Sequence, residues 1–241
     1  MAKLYVVGIG PGGRGDMTLK ALEAIKKSEV IVGYKPYMEY VKDLLQDKEV
    51  FLTGMGGELE RCRFAIERVK QGKNTSIIST GDAGLYGMAG PIFELSEDED
   101  IDIEIVPGVT AAFSAAGELG APIMHDFCSI SLSDVLTPWA IIEKRIETAS
   151  SADFVIVIYN PKSKGRPRHI QKAVEIIRKY KSPLTPVGIV QNSGRAGAKK
   201  IVTKLKDIDY DLIDMNSVVI IGNSGTYIKH GFMVTPRGYN I

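Results

Sequence analysis

The chain has 241 residues, 44% hydrophobic and 24% charged, with 30 Lys and Arg against 29 Asp and Glu for a formal net charge of +1. So even a balance argues against a chain built mainly to hold nucleic acid, and no run approaches the ~18 apolar residues of a membrane span. Only Cys62 and Cys128 are present, which excludes a disulfide scaffold and fits a reducing cytoplasm.

The N-terminus enters a strand pattern without a signal-peptide pattern, so a cytoplasmic location is expected. The three histidines, His125, His169 and His230, show no zinc-like spacing, and no resident metal is expected. Residues 5–13 read YVVGIGPGG, and from Gly8 to Gly13 they satisfy G-x-G-x-x-G. In a dinucleotide site these glycines bring the backbone close to a pyrophosphate on the N-terminus of the next helix. Such a site also needs the helix to open inside the motif and an acidic residue about 20 residues further on. Here the first caps are Asp16 or Thr18, ahead of LKALEAIKK, and Pro11 removes an amide. The next apolar run, 30–32, leads into Gly33-Tyr34-Lys35 without a carboxylate. A nucleoside-type ligand or a structural turn therefore reads better than an NAD(P)-dependent oxidoreductase.

Strands are predicted at 3–9, 30–32, 49–52, 75–79 and 103–106, and helices at 18–27, 37–45, 58–71, 90–95 and 111–119. This alternation predicts a parallel sheet covered on both faces, with ligands at the carboxyl ends of its strands. Three small-residue loops fall at such ends: GIGPGG at 8–13, STGDAGLYG at 79–87 and VPGVTAA at 106–112. Asp82 reads either as a ligand contact or as a cap for its own turn, and Thr110 reads in the same two ways. The acidic run EDEDIDIE, 97–104, reads as a solvated loop entering a strand edge.

GAPIMHDF, 120–127, is turn-rich, so the expected organisation is an N-terminal α/β domain at 1–120, a linker at 121–127 and a C-terminal α/β domain at 128–241. The second half predicts strands at 128–132, 154–159, 187–191, 199–203, 218–221 and 232–234, with helices at 138–149 and 168–180. Antiparallel pairing is expected there, because several strands follow one another without a helix. Ser129, Ser131 and Ser133 alternate through CSISLSD and would share a strand face, but no G-x-S-x-G elbow supports a serine nucleophile. The basic run KSKGRPRH, 162–169, reads as an anion site or as a solvated loop. His125-Asp126, in the expected linker, is the best candidate acid/base pair.

VVGIGPGG, STGDAGLYGMAG, VPGVTAAFSAAGELGAP, IVIYNPKS and IGNS, in this order along nearly the whole chain, resemble the tetrapyrrole (corrin/porphyrin) methylases that use S-adenosylmethionine. HDFCSISLSDVLTPW, 125–139, and VTPRGY, 234–239, are similar to the members that methylate carbon 17 of a precorrin-3B or cobalt-precorrin-3 ring, with ring contraction, in cobalamin biosynthesis. The resemblance implies two α/β domains with mixed sheets, an active-site cleft between them, and a homodimer. It implies S-adenosylmethionine as methyl donor and S-adenosylhomocysteine as product. By motif, the donor contacts in the first domain would be Gly10, Pro11, Gly12, Thr80, Gly81, Asp82, Leu85, Tyr86, Thr110 and Ala111. In the second they would be Tyr159, Asn160, Asn192, Ser193, Asn223 and Ser224. Methyl transfer then needs alignment more than a strong base, whereas ring contraction needs proton movement, for which His125 or Asp126 is the catalytic expectation. The acceptor's carboxylates would meet Lys162, Lys164, Arg166, Arg168, Arg195 and Arg237, and any cobalt would arrive inside the tetrapyrrole. The alternatives are a methylase of the same fold with a different acceptor, the oxidoreductase, or a nucleic-acid-binding module.

Overall fold

The computed structural model describes residues 2–97 and 100–239, so Asp98 and Glu99 of the acidic run lie outside the described residues. The chain divides into two compact units, Met1–Ala111 and Ala112–Ile241.

The first unit runs β1 (Lys3–Gly8), α1 (Leu19–Lys27), β2 (Val30–Tyr34), β3 (Glu49–Thr53), α2 (Glu58–Lys70), β4 (Thr75–Ser79), α3 (Ala89–Leu95) and β5 (Asp102–Val106). Its sheet has the order β3-β2-β4-β1-β5, and every pairing is parallel. Successive side chains on a strand point to opposite faces, and the apolar runs feed two cores accordingly. Val6, Val32 and Ile77 pack with Cys62, Ala65 and Ile92 on one face. Val7, Ile31 and Ile78 pack with Ala21 and Ile25 on the other. Each Val or Ile side chain buried in this way contributes about 1.5–3 kcal/mol.

The α-helix expected at 37–45 is instead two 3-10 stretches, Lys35–Tyr40 and Lys42–Leu44, broken where Val41 takes φ −131°. The buried residues Met38 and Val41 are three apart, a spacing that stays on one face when there are three residues per turn.

The second unit begins within α4 (Ala111–Leu119) and continues through β6 (Gly120–Ala121), β7 (Phe127–Ser131), α5 (Trp139–Ser151), β8 (Val155–Tyr159) and α6 (His169–Ile177). It ends with β9 (Pro186–Gln191), β10 (Lys199–Lys204), β11 (Ser217–Ile221), β12 (Tyr227–Lys229) and β13 (Phe232–Val234). The main sheet, β10-β9-β11-β8-β7, is antiparallel as expected except for the parallel pair β7–β8, which α5 connects as a crossover. Ile156, Ile158, Ile189, Val219 and Ile221 cover α5 and α6.

The division at Ala111 puts α4 with the second sheet, ahead of the boundary expected at 120. Gly188 explains part of this: a Cβ there would lie 2.8 Å from Met233 Sδ and would overlap the Leu119 side chain. The bare backbone of β9 thus lets α4 and β13 pack closely. The start of the expected linker is a strand, with Gly120 and Ala121 pairing Met233 and Val234.

Candidate functional site

β4, β1 and β5 are adjacent in the first sheet, so their three carboxyl-end loops abut. Gly10 N–H donates to the Gly81 carbonyl at 3.1 Å, and Gly81 N–H donates to the Gly10 carbonyl at 2.7 Å. A Cβ on Gly8 would fall 2.7 Å from Gly81 O, 2.8 Å from Gly108 N and 2.9 Å from Ala83 N. Backbone packs on backbone here, which only glycine permits. Gly10 and Gly81 also hold φ of 77° and 69°.

Asp82 joins two of the loops. Its Oδ1 accepts N–H groups from Gly84 at 2.8 Å and Leu85 at 3.2 Å, and its Oδ2 accepts Gly108 N–H at 3.0 Å. The carboxylate is therefore a tie within the edge, the capping reading of the two. Pro11 and Thr110 are buried in the same edge. Tyr86 stands on its rim, 53% exposed with φ 56°, a strained conformation that the surrounding loop must impose. Sequence reasoning missed Ser79, at the end of β4: its Oγ is buried and has no hydrogen-bond partner among the described residues. It also missed Arg61, buried on α2, which donates to the Gly54 carbonyl at 3.2 Å and so holds the loop after β3.

The geometry argues against a dinucleotide. A 3-10 turn, Arg14–Asp16, follows the glycines, and α1 starts only at Leu19. Thr18 Oγ1 accepts Ala21 N–H at 3.1 Å and donates to the Pro107 carbonyl at 3.2 Å, so this helix end is already capped. No carboxylate ends β2.

In the second unit Tyr159, Asn160, Asn192 and Ser193 share one sheet edge, because β8 and β9 both run toward it. Tyr159 Oη accepts Ala112 N–H at 2.8 Å at the start of α4. Asn160 donates through Nδ2 to Ser131 Oγ at 2.8 Å. Both Asn160 and Asn192 take φ 51°, a region that asparagine tolerates. Ser193 Oγ lies 2.7 Å from both Ser114 Oγ and Glu118 Oε1, so this hydroxyl serves α4.

The other expected residues are not brought to this edge. β11 is antiparallel to β8, so Asn223 and Ser224 emerge beside the start of β8, and β7 is parallel to β8, so His125 and Asp126 precede it at that same end. At about 3.3 Å per residue, this end lies roughly 20 Å from Asn160. Ser224 binds Asp153 through its N–H, at 3.0 Å, and its hydroxyl, at 2.6 Å, while Asn223 Oδ1 accepts Gly225 N–H in its own turn. These contacts engage Asn223 and Ser224 locally, and strand direction sets them, with the acid/base candidates His125 and Asp126, at the end of the sheet away from Tyr159 and Asn160. The four line a cavity of about 370 Å³ with Asp153 and Pro236. Burial works to raise the Asp153 pKa, yet hydrogen bonds from Ser224 and the buried Lys181 bring it below the usual carboxylate value.

The basic run is ordered in part. Ser163 and Arg166 exchange backbone hydrogen bonds, Lys162 donates to the Tyr210 carbonyl at 3.0 Å, and Arg166 donates to the Leu132 carbonyl at 3.2 Å. His169 Nε2 lies 2.9 Å from Asp134 Oδ2, with its ring edge-to-face on Trp139 at 4.7 Å. This hydrogen bond holds the Asp134 carboxyl below its ordinary pKa. Lys164 and Arg168 are exposed. Arg237 follows Pro236 at the opposite end of the sheet, away from them. Among the described residues no group of three or more His, Cys, Asp or Glu could hold a metal ion, and no helix is long and apolar enough to cross a membrane.

A parallel α/β unit with a glycine-built carboxyl edge, followed by a mixed-sheet α/β unit, is the setting in which family membership becomes explicit. Residues 3–209 match the Tetrapyrrole (Corrin/Porphyrin) Methylases, and the chain belongs to that family. It is 51% identical over 240 residues to the probable cobalt-factor III C(17)-methyltransferase of Salmonella typhimurium, covering 99% of this chain and 100% of the relative. It is 37% identical to the precorrin-3B C(17)-methyltransferase of Sinorhizobium sp, covering 98% and 96%. Among solved structures, the methyltransferase CobJ superposes with a TM-score of 0.94 at 33% identity, over 98% of this chain and 100% of that one.

Proposed function

We propose that the chain transfers a methyl group from S-adenosylmethionine to carbon 17 of a cobalt-factor III or precorrin-3B macrocycle, in cobalamin biosynthesis. The observation that carries the donor reading is the first unit's carboxyl edge. It offers backbone groups, the orphaned Ser79 hydroxyl and the exposed Tyr86 ring, and its one carboxylate, Asp82, is already tied. Its three loops carry no Lys or Arg, which suits a cationic nucleoside without phosphate. Bound there, the donor supplies an electrophilic methyl on a sulfonium sulfur and leaves as a neutral thioether.

The residues proposed to hold it are Gly10, Pro11, Gly12, Thr80, Gly81, Leu85, Tyr86, Thr110 and Ala111, with Asp82 setting the loops. Tyr159, Asn160, Asn192 and Ser193 are proposed as further ligand-binding positions in the second unit. Their work is alignment, since displacement at a methyl group depends on holding the reactants in line. His125 and Asp126 are left outside this machinery. A cobalt-loaded acceptor is favoured, because identity to the cobalt-factor III relative, 51%, exceeds that to the precorrin-3B relative, 37%. A homodimer and a cytoplasmic location complete the proposal.

Calorimetry with S-adenosylhomocysteine and with NADH tests the donor reading. Saturable binding of the first and none of the second is expected, and the reverse would overturn it.

A further inference from the structure

Leu136, 94% exposed, is the most exposed large hydrophobic side chain among the described residues, and its neighbour Val135 is 76% exposed. Both sit at the tip of the strap between β7 and α5. The loop that carries them is pinned at its base. Leu132 N–H donates to the Tyr159 carbonyl at 2.9 Å, and the Leu132 carbonyl accepts Arg166 at 3.2 Å. Asp134 is held by His169 at 2.9 Å and faces Arg166 at 3.8 Å. The same His169 ring packs on Trp139, where the strap ends and α5 begins. An apolar pair is thus held out into solvent by a polar latch, as expected of a binding surface more than of a core.

Two exposed cations flank the strap. Lys164 lies at the tip of the 163–166 turn that Arg166 ties to it, and Arg168 precedes His169 at the start of α6. The strap leaves the sheet at the edge that carries Tyr159 and Asn160. An apolar tip beside exposed cations complements a flat apolar ring with carboxylates on its rim.

We infer that this strap seats the acceptor macrocycle, with Val135 and Leu136 against its face and Lys164 and Arg168 on its carboxylates. This rests on the proposed methyl transfer and adds the residues that select the acceptor.

The test compares wild type with Leu136→Asp, Leu136→Met and the double variant Lys164→Ala/Arg168→Ala. Cobalt-factor III affinity is read by absorbance titration, S-adenosylhomocysteine affinity by calorimetry, and oligomeric state by sedimentation. Leu136→Asp and the double variant should each weaken macrocycle binding by about tenfold or more, with Leu136→Met near wild type and donor-product binding and assembly unchanged. Macrocycle affinity within about twofold of wild type in Leu136→Asp, with donor-product binding intact, would overturn the inference alone. So would a changed oligomeric state with macrocycle affinity intact, since the tip would then be a subunit contact. Wild-type protein that binds neither ligand would overturn the methylase reading and this inference together.

Discussion

Asp82 receives three backbone N–H groups from two loops, all within 3.2 Å. Asp82→Asn keeps one acceptor oxygen but turns an NH₂ group toward an amide donor, leaving one of these groups opposed by another donor. Affinity for S-adenosylhomocysteine should fall by about tenfold, from a loss on the order of 1–2 kcal/mol, with the fold retained. Calorimetry beside circular dichroism reads this, and unchanged affinity would mean that the tie does not shape the donor edge. At Asp153 the folded-state pKa is depressed, so its stabilisation is fully present above the unfolded-state value of about 4 and is lost as pH falls through the lower folded value. Ser224→Ala removes a 2.6 Å hydrogen bond to the carboxylate and should move acid unfolding to higher pH. An unmoved midpoint in a pH titration followed by circular dichroism would contradict this. Ser193 shows why single residues were hard to read: its partners Ser114 and Glu118 lie 79 and 75 residues away, and no local spacing announces them. The pairing of His169 with Asp134, 35 residues apart, was hidden in the same way.

Elements were legible where burial was two-sided. VIVIY and SVVII each carry four consecutive β-branched residues whose faces both pack, and they stand as β8 and β11 within a residue of the predicted ends. β12, reading YIK, was missed because all three residues are exposed and no alternation marks them. The convergence of the three glycine loops was legible because a parallel sheet collects its carboxyl ends on one edge. The separation of His125 and Asn223 from Tyr159 was not, because it depends on strand direction and order in the second sheet. Gly108 tests the loop packing: a Cβ there would run into the carbonyls of Gly81 and Gly8, whereas one at Gly117 on α4 meets nothing within 4 Å. Gly108→Ala should lower stability by about 1–3 kcal/mol and weaken donor-product binding. Gly117→Ala should be neutral or stabilising by up to about 1 kcal/mol. Thermal denaturation of the pair checks this, and equal melting points would contradict backbone-on-backbone packing.

For the whole molecule, the family was legible from separated motifs along the chain, and the match over residues 3–209 agrees with it. The structure adds a division of labour inside each unit. In the first, glycines and Asp82 tie the carboxyl edge together, and the helix that follows the first glycine loop is capped by Thr18. In the second, one end of the sheet carries Tyr159, Asn160 and the latched strap, and the other carries the Asp153–Lys181 pair and its cavity. The central claim, methyl transfer to one ring carbon, is tested most directly by incubating the protein with cobalt-factor III and donor labelled with carbon-13 in its methyl group, and locating the label by nuclear magnetic resonance. The expected result is one labelled methyl on carbon 17 for each S-adenosylhomocysteine released. Label on another carbon or on a heteroatom, or no label while both ligands bind, would contradict it.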